Sequence, residues 1–564
     1  MNNRVGKEGA ERKWKGLFVK KEKIMKKFIF SSVLIALLIF LGYFVSSRRA
    51  AFDILINGGT IYDGTTRDSY VADIGIIADK IAAIGDLSNK TAKKIIDARE
   101  LIVTPGFIDV HNHSDLVFLF AGNKRYLALI TPAWKGNYNY LTQGVTTIVT
   151  GLCGGGYADT KQWLDMVSLI KYGTNVYHLI PYGMIRGKLF GQDQPRTLTA
   201  EQLDTLKKSV EREMQNGAIG ISVGLEYAPD CFTTTDELAE IAKVVNKYGG
   251  IYDAHIRDNT GTIHENGQPG VLLAIKETIE ISKRAKISVH ISHIQLNLPW
   301  NDVQAKQMYG LIEEARREGV DITADQHPYD VGFGILSYRL PDEFKTAVGV
   351  KDKYKTPEGR ALIKKAIEKV FVFLGPEKIM ITSCPGNEKC ENKTIKEIAV
   401  MENRDPGAVY VDLVCMDSAP YALFSEISEE ANRGNMPHEY VFTASDGFTV
   451  FDASKSPHPR FFGCFPRKIR KYALEEKVLS LKDAIRSMTS LPAEKFKMNL
   501  RGKIVTGYYA DIVVIDLQNF TDRATYSDRA KYSEGIEYLL VNGVLAIEKG
   551  KTTGKRGGRA LKSR

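Results

Sequence analysis

Between residues 104 and 495 the chain alternates short apolar runs with longer amphipathic ones, and that alternation constrains its fold more than any other feature. The strand-like runs are FIDVH (107–111), TTIVTG (146–151), NVYHLIPYG (175–183), AIGISVGL (218–225), GIYDAHI (250–256), ISVHISH (287–293), DITADQH (321–327) and YVFTAS (440–445). Between several of them lie helix-like stretches such as Thr235 to Tyr248, opened by Thr and Asp and stopped at Gly249-Gly250, and Val271 to Ala285. Eight strand units alternating with helices predict an α/β chain folded as a (β/α)8 TIM barrel, with its active site at the carboxyl ends of the strands. The seventh and eighth runs stand about a hundred residues apart, far beyond an ordinary connection. Residues 330–437 are therefore expected as a folded, lid-like insertion between strands 7 and 8. The run KIMITS inside it leaves open that one of the eight strands is misassigned.

On either side of this middle the texture changes. Residues 52–103 and 496–550 are short strand-like runs broken by Gly, Asn and Asp. Two such flanking segments are most simply one discontinuous domain, a small β-sandwich closed by both chain ends, with the barrel inserted in it. The formal net charge of +10 first suggests an anionic partner. Its distribution removes that suggestion: Lys and Arg crowd residues 1–50 and 549–564, which leaves a mildly acidic body. Nucleic acid is not an expected partner, and the basic tail 551–564 is expected to be solvated and poorly ordered.

A basic extension over residues 1–23 precedes Lys26-Lys27 and the apolar stretch from Phe28 to Val45. At about 1.5 Å per residue that stretch just spans a bilayer core. Residues 24–47 are expected as a transmembrane anchor or a signal sequence. Either places the body outside the cytoplasm, anchored or secreted, because the positive flank stays inside. The six cysteines form no CxxC pair. Cys384 and Cys390 are close enough in sequence to bridge in an oxidising compartment.

Polar residues then fall on the predicted strand ends. His111 and His113 end the first strand, and residues two apart leave a strand on the same face. The second strand leads into Cys153, the fifth ends at His255, the sixth at His293, and the eighth at Asp446. Each alone has a bland explanation: Cys153 as a small buried apolar residue, the histidines as satisfied core residues, Asp446 as a helix cap. Together, on the same end of separate strands, they predict a metal centre, and thiolate with imidazole favours Zn2+. A zinc with an open position lowers the pKa of bound water toward about 7, which supplies hydroxide for attack on an amide carbonyl. Asp446 is placed to take a proton and hand it to the leaving nitrogen. His290, three residues from His293, should face the other way, and His178, His264, His438 and His458 are assigned to structure or surface.

With these residues placed, the sequence resembles the amidohydrolase superfamily and, within it, the N-acyl-D-amino-acid deacylase (D-aminoacylase) family. The matching stretches include TPGFIDVHNHSD, QGVTTIVTGLCGGG, GAIGISVGLEYAPD, KYGGIYDAHIRD, ISVHISHIQ, DITADQHPYD, TASDG and HPRFFGCFPR. The resemblance implies a zinc held tightly by Cys153, His255 and His293, and a second, weaker position at His111, His113 and Asp446. It also implies that Tyr227 hydrogen-bonds the oxyanion or acyl group. Arg460, on the loop after Asp446, is suited to pair bidentately with a substrate carboxylate.

Of three departures from the family, the missing Asn before the Cys in GLCGGG bears on the support of the thiolate and the other two on the substrate. His327 and Phe333 stand where the family commonly has a Tyr and a Ser that help bind the carboxylate, and Gln295 stands where it often has Lys. Losing that positive charge disfavours an acidic side chain. The expected substrate is a small amide, an N-acyl-D-amino acid with a neutral or apolar side chain, with His327 and Gln295 lining its pocket. The alternatives are a cyclic-amide hydrolase of the dihydroorotase or hydantoinase kind on the same barrel, disfavoured by the missing bridging lysine, and an inactive membrane-tethered metal-binding homologue.

Overall fold

The computed structural model describes residues 50–563, apart from 192–196, 347–348 and 452–456, together with positions 14, 23, 25–27 and 30–35. Each of the eight apolar runs contains a strand: β1 Phe107–Asp109, β2 Val145–Thr150, β3 Asn175–His178, β4 Gly220–Gly224, β5 Ile251–His255, β6 Ser288–Ile291, β7 Ile322–Gln326 and β8 Val441–Thr443. They pair in parallel and in sequence order. β1 to β3 form one sheet; Ile180–Pro181, just beyond β3, pairs with β4 and opens a second sheet that runs on through β8. Beyond β8 the chain returns to the first strand: Asn112 and Gly447 form a parallel bridge, and the Asp446 N–H donates to the His111 carbonyl at 3.0 Å.

Local sequence explains the intervening helices. Thr235–Lys247 is capped by Thr234, whose side chain accepts from the Glu237 N–H, and it turns Leu238, Ile241, Ala242 and Val245 inward. Gly270–Ala285 runs from just after Pro269 and buries Val271, Leu272, Ile275 and Ile281. These faces join the apolar sides of β4 to β8 in the largest core cluster, while strands buried on both faces read as continuous apolar runs.

The run KIMITS is a strand, Ile379–Ser383, but it belongs to a separate four-stranded sheet with Gly332–Ile335, Tyr421–Phe424 and Lys393–Thr394. It does not compete with the eight. That sheet and the helices Pro357–Phe371, Ile395–Glu402 and Pro406–Val414 enclose their own core around Ile367, Ile381, Tyr410 and Phe424.

Strands from both chain ends lie in one nine-stranded sheet, joined where Ile102–Pro105 pairs antiparallel with Ile512–Ile515. Phe52–Ile61 pairs with three partners along its length: Tyr70–Ile77, Ala92–Asp97 and Ile102–Pro105.

The expectation of a solvated tail is wrong for residues 557–563. The Val176 N–H donates to the Arg559 carbonyl and the Leu561 N–H to the Val176 carbonyl, both at 2.9 Å, and Arg559 pairs with Asp79 at 2.8 Å. Gly558 makes this close approach feasible, since a Cβ there would lie 2.1 Å from the Thr174 carbonyl oxygen. The bridge between Cys384 and Cys390 is likewise not formed; all six cysteines are free thiols. Among the described residues no helix is long and apolar enough to cross a membrane, and most of the stretch from Phe28 to Val45 lies outside them.

Candidate active site and metal centre

Six residues from five strand ends converge. The Cys153 Sγ lies 3.3 Å from His111 Nε2, 3.6 Å from His255 Nδ1 and 3.7 Å from His293 Nε2. His111 Nε2 is 3.3 Å from His113 Nε2, and Asp446 Oδ1 lies 3.6 Å from the first and 3.2 Å from the second. Donor atoms of His111, Cys153 and His293 all fall within 4.8 Å of one another, as do those of His111, His113 and Asp446. His111 is thus common to both groups, where the sequence reading assigned it to one, and His255 joins through the thiol.

The backbone that aims these groups is unusual. Cys153, His293 and Asp446 have φ of +52°, +32° and +46°, in the left-handed region where residues with a Cβ are seldom held. Each follows the end of its strand and redirects a side chain inward. After Cys153 the chain must pass close to a buried carboxylate: a Cβ on Gly154 would sit 2.2 Å from Asp230 Oδ2. Gly154 serves that approach, and Gly156 a similar one to Asp115, whose Oδ2 would lie 2.2 Å from a Cβ there.

Behind the ligand-type residues lie carboxylates that the motif reading did not pick out, Asp109 and Asp325 fully buried and Glu226 part-buried. Asp325 Oδ1 accepts from the His293 N–H at 2.9 Å, and its Oδ2 lies 2.9 Å from His290 Nε2 and 3.5 Å from His111 Nδ1. His290 therefore faces away from the metal-ligating donors, as its spacing predicts, and helps to hold Asp325. Asp109 ties the first strand end to the eighth, accepting from Ser445 N at 3.0 Å and Ser445 Oγ at 2.6 Å. Glu226 Oε2 is 3.1 Å from His255 Nε2, which turns Nδ1 of that ring toward the thiol. The signal for Asp325 and Glu226 was present in DITADQH and GLEYAPD, but a buried acid has no spacing rule to mark it.

Charge in the cluster is finely divided. Burial opposes ionisation of Cys153, yet the imidazoles of His111, His113 and His255 outweigh it and hold the thiol well below its ordinary range. Burial likewise opposes the Asp446 carboxylate, and the Arg460 guanidinium beside it outweighs that and keeps it ionised. Arg460 Nη1 lies 2.9 Å from Asp446 Oδ2 and 3.0 Å from His327 Nε2. Burial and that same guanidinium push His327 down to about 3, so its ring is neutral near pH 7. Gln295 Nε2 donates to the His327 carbonyl at 3.0 Å. His458, assigned from sequence to structure or surface, is fully buried and accepts from the Arg460 N–H at 2.9 Å.

Tyr227 reaches the cluster from beyond β4, its OH 3.1 Å from His255 Nδ1 and its ring stacked on Tyr338 at 4.8 Å between centroids. Burial and the neighbouring Tyr338 raise its hydroxyl far above the usual range, so it stays a donor. Above these groups opens a cleft of about 490 Å³, counting its open mouth. It is lined by His255, His293, Asp446, Arg460, His327 and Gln295, and by Phe333, Tyr338, Arg339, Phe424, Glu426 and Ile427 from the segment between β7 and β8.

The donors fit a metal ion. In a tetrahedral zinc site with ligand bonds of about 2.0–2.3 Å, neighbouring donors stand roughly 3.3–3.8 Å apart, and the spacings from Cys153 to its three imidazoles are 3.3, 3.6 and 3.7 Å. A thiolate, imidazoles and a carboxylate make up a metal-binding donor set.

The family model described as the amidohydrolase family matches residues 441–547, which include β8, Asp446 and Arg460. The D-aminoacylase of Alcaligenes xylosoxydans xylosoxydans is 28% identical over 538 residues, 91% of this chain and 98% of that protein. A crystal structure of D-aminoacylase superposes with a TM-score of 0.75 at 28% identity, covering 91% of this chain and 100% of the other. The N-acyl-D-glutamate deacylase of Bordetella bronchiseptica, solved with zinc and a phosphonate inhibitor that mimics the tetrahedral intermediate, gives a TM-score of 0.75 at 26% identity, covering 91% and 99%. With this likeness along nearly its whole length and a metal-type donor cluster at its strand ends, the chain is a metal-dependent amidohydrolase acting on carbon–nitrogen bonds other than peptide bonds, similar throughout to the D-aminoacylase family of the amidohydrolase superfamily.

Proposed function

We propose that this enzyme is a zinc-dependent deacylase of N-acyl-D-amino acids with neutral side chains. The observation that carries the reading is the convergence of Cys153, His111, His255 and His293 beside Asp446 at the foot of the cleft. The parallel strands are read as a closed (β/α)8 barrel, the insertion as its lid, and the nine-stranded sheet as a folded-over β-sandwich. Zinc would be held by Cys153, His255 and His293, with a second position at His111, His113 and Asp446. When bound, the metal supplies Lewis acidity toward the amide carbonyl and acidifies water at the site.

The chain's own groups supply the rest. Asp446, kept ionised by Arg460, accepts a proton from the attacking water and delivers it to the departing nitrogen, which leaves readily only once protonated. Tyr227, a donor through the working range, hydrogen-bonds the oxygen on which charge develops. Arg460 Nε is buried and has no partner in the protein, which suits it to a substrate carboxylate while Nη1 holds Asp446. His327 and Gln295 line that end of the pocket as neutral groups. The aromatic wall of Phe333, Tyr338 and Phe424 narrows solvent access to the reacting atoms. We also propose that the body lies outside the cytoplasm, on the strength of the basic flank and apolar stretch before residue 46.

The test pairs N-acetyl-D- and N-acetyl-L-amino acids across side-chain classes on protein of measured metal content, with hydantoins and dihydroorotate as ring-opening controls. Release of acetate from the D series that disappears in Asp446→Ala is expected. Turnover confined to the cyclic amides would defeat the reading.

A further inference from the structure

Part of the cleft wall is a built polar subsite. Asn259 is 98% buried; its Oδ1 has no hydrogen-bond partner within the protein, and neither has the buried Oδ1 of Asn297. The two residues adjoin, the Asn297 N–H donating to the Asn259 carbonyl at 3.0 Å. Beside them Glu426 is ion-paired to Arg339, yet the Arg339 Nε–H is buried and without a partner. All four residues line the cleft. Backbone contacts lock the group together: Asn297 bridges both Thr260 and Ile427, and the Leu298 N–H donates to the Glu426 carbonyl at 3.1 Å. Glu226, which orients His255, also accepts from the Asn259 N–H at 3.2 Å, so the subsite is joined to the metal-ligand cluster.

Buried polar atoms of this kind are nearly always satisfied, and the fully buried atoms left open here are two acceptors and one donor. A primary carboxamide offers the complement, two N–H donors and one carbonyl acceptor. We propose that this wall is a side-chain subsite for a carboxamide, so that the preferred substrates are N-acyl derivatives of D-glutamine or D-asparagine; the inference rests on the deacylase reading and narrows its substrate class. An acidic side chain brings no N–H to Asn259 and Asn297 and meets Glu426, while Gln295 adds no positive charge. An apolar side chain leaves all three atoms unsatisfied, and a site built to hydrogen-bond a group discriminates strongly against analogues lacking it.

The experiment compares kcat/KM for the N-acetyl derivatives of D-glutamine, D-asparagine, D-glutamate and D-leucine on the metal-loaded full chain. At least a tenfold advantage of the better carboxamide over both D-glutamate and D-leucine is expected, with the ratio of D-glutamine to D-leucine falling at least fivefold in Asn297→Ala. D-leucine or D-glutamate turned over as well as both carboxamides would overturn the subsite and leave the deacylase reading standing. If none of the four is hydrolysed the deacylase reading falls, and calorimetric binding of free D-glutamine, D-glutamate and D-leucine to the same protein decides the subsite: tighter D-glutamine binding upholds it, and equal or absent binding overturns it.

Discussion

Glu226 gives the most direct test of how this site is held. Its Oε2 lies 3.1 Å from His255 Nε2, and its Oε1 accepts from the Asn259 N–H at 3.2 Å. Burial works against its charge, but His255 outweighs burial and holds the carboxyl at about 2, so the group is ionised at neutral pH. A carboxylate there fixes the ring tautomer, leaving Nδ1 as the free donor, and raises its basicity. Loss of such a partner weakens metal binding by about 10- to 100-fold, or roughly 1.4–2.7 kcal/mol. Glu226→Gln keeps an acceptor for the His255 N–H and loses only the charge, so it falls near the tenfold end. Glu226→Ala loses both and falls near the hundredfold end. Competition against a chelator of known affinity, read as metal content, measures the change, and thermal unfolding of the metal-free protein checks that the fold is intact. Both variants binding zinc within about twofold of the parent, with unfolding unchanged, would refute the account of His255.

Removing the metal with a chelator should abolish turnover and readdition of Zn2+ restore it, whereas Cys153→Ser should not recover at the same zinc concentration; metal content and activity on one sample decide this. Glu426→Ala strands the Arg339 guanidinium in a part-buried position, and breaking such a pair costs about 3–5 kcal/mol, reduced toward the lower figure by the 16% exposure of Arg339; denaturant titration reads it. His327 is held at about 3, against 6.5 when free, by burial and by Arg460. Between those values the unfolded chain binds a proton that the folded chain does not, so stability should fall as pH drops from about 6.5 toward 3 and that slope should flatten in His327→Asn; unfolding midpoints across that window in the metal-free protein would show it.

Much of the architecture was written in local pattern. Period and length marked all eight parallel strands, because strands covered on both faces read as unbroken apolar runs, and turn residues marked where each ended. The run KIMITS had the same local character as those eight, and only its antiparallel partners, Tyr421–Phe424 and Lys393–Thr394, exclude it from them. Pairing partners lie far along the chain and leave no local trace. The basic tail was misread for the same reason: its composition is that of a solvated end, whereas Gly557 lets its backbone pass close to the Val541 carbonyl and Gly558 lets it dock along β3.

At the site, residue type and strand-end position were enough to single out His111, His113, Cys153, His255, His293 and Asp446 as groups that would converge, because few side chains carry metal-type donors and parallel strands present their ends on one side. The carboxylates behind them, Asp325, Glu226 and Asp109, sit in quoted motifs but no spacing marks them out. An acid is a common residue, and its meaning here comes from being buried against one imidazole or one backbone N–H. That Arg460 holds Asp446 and that His111 is common to both donor groups were likewise decided only in three dimensions. Sequence determines which chemical groups are available and on which side of a strand each emerges; folding alone sets the few ångströms between them, on which charge, tautomer and coordination depend.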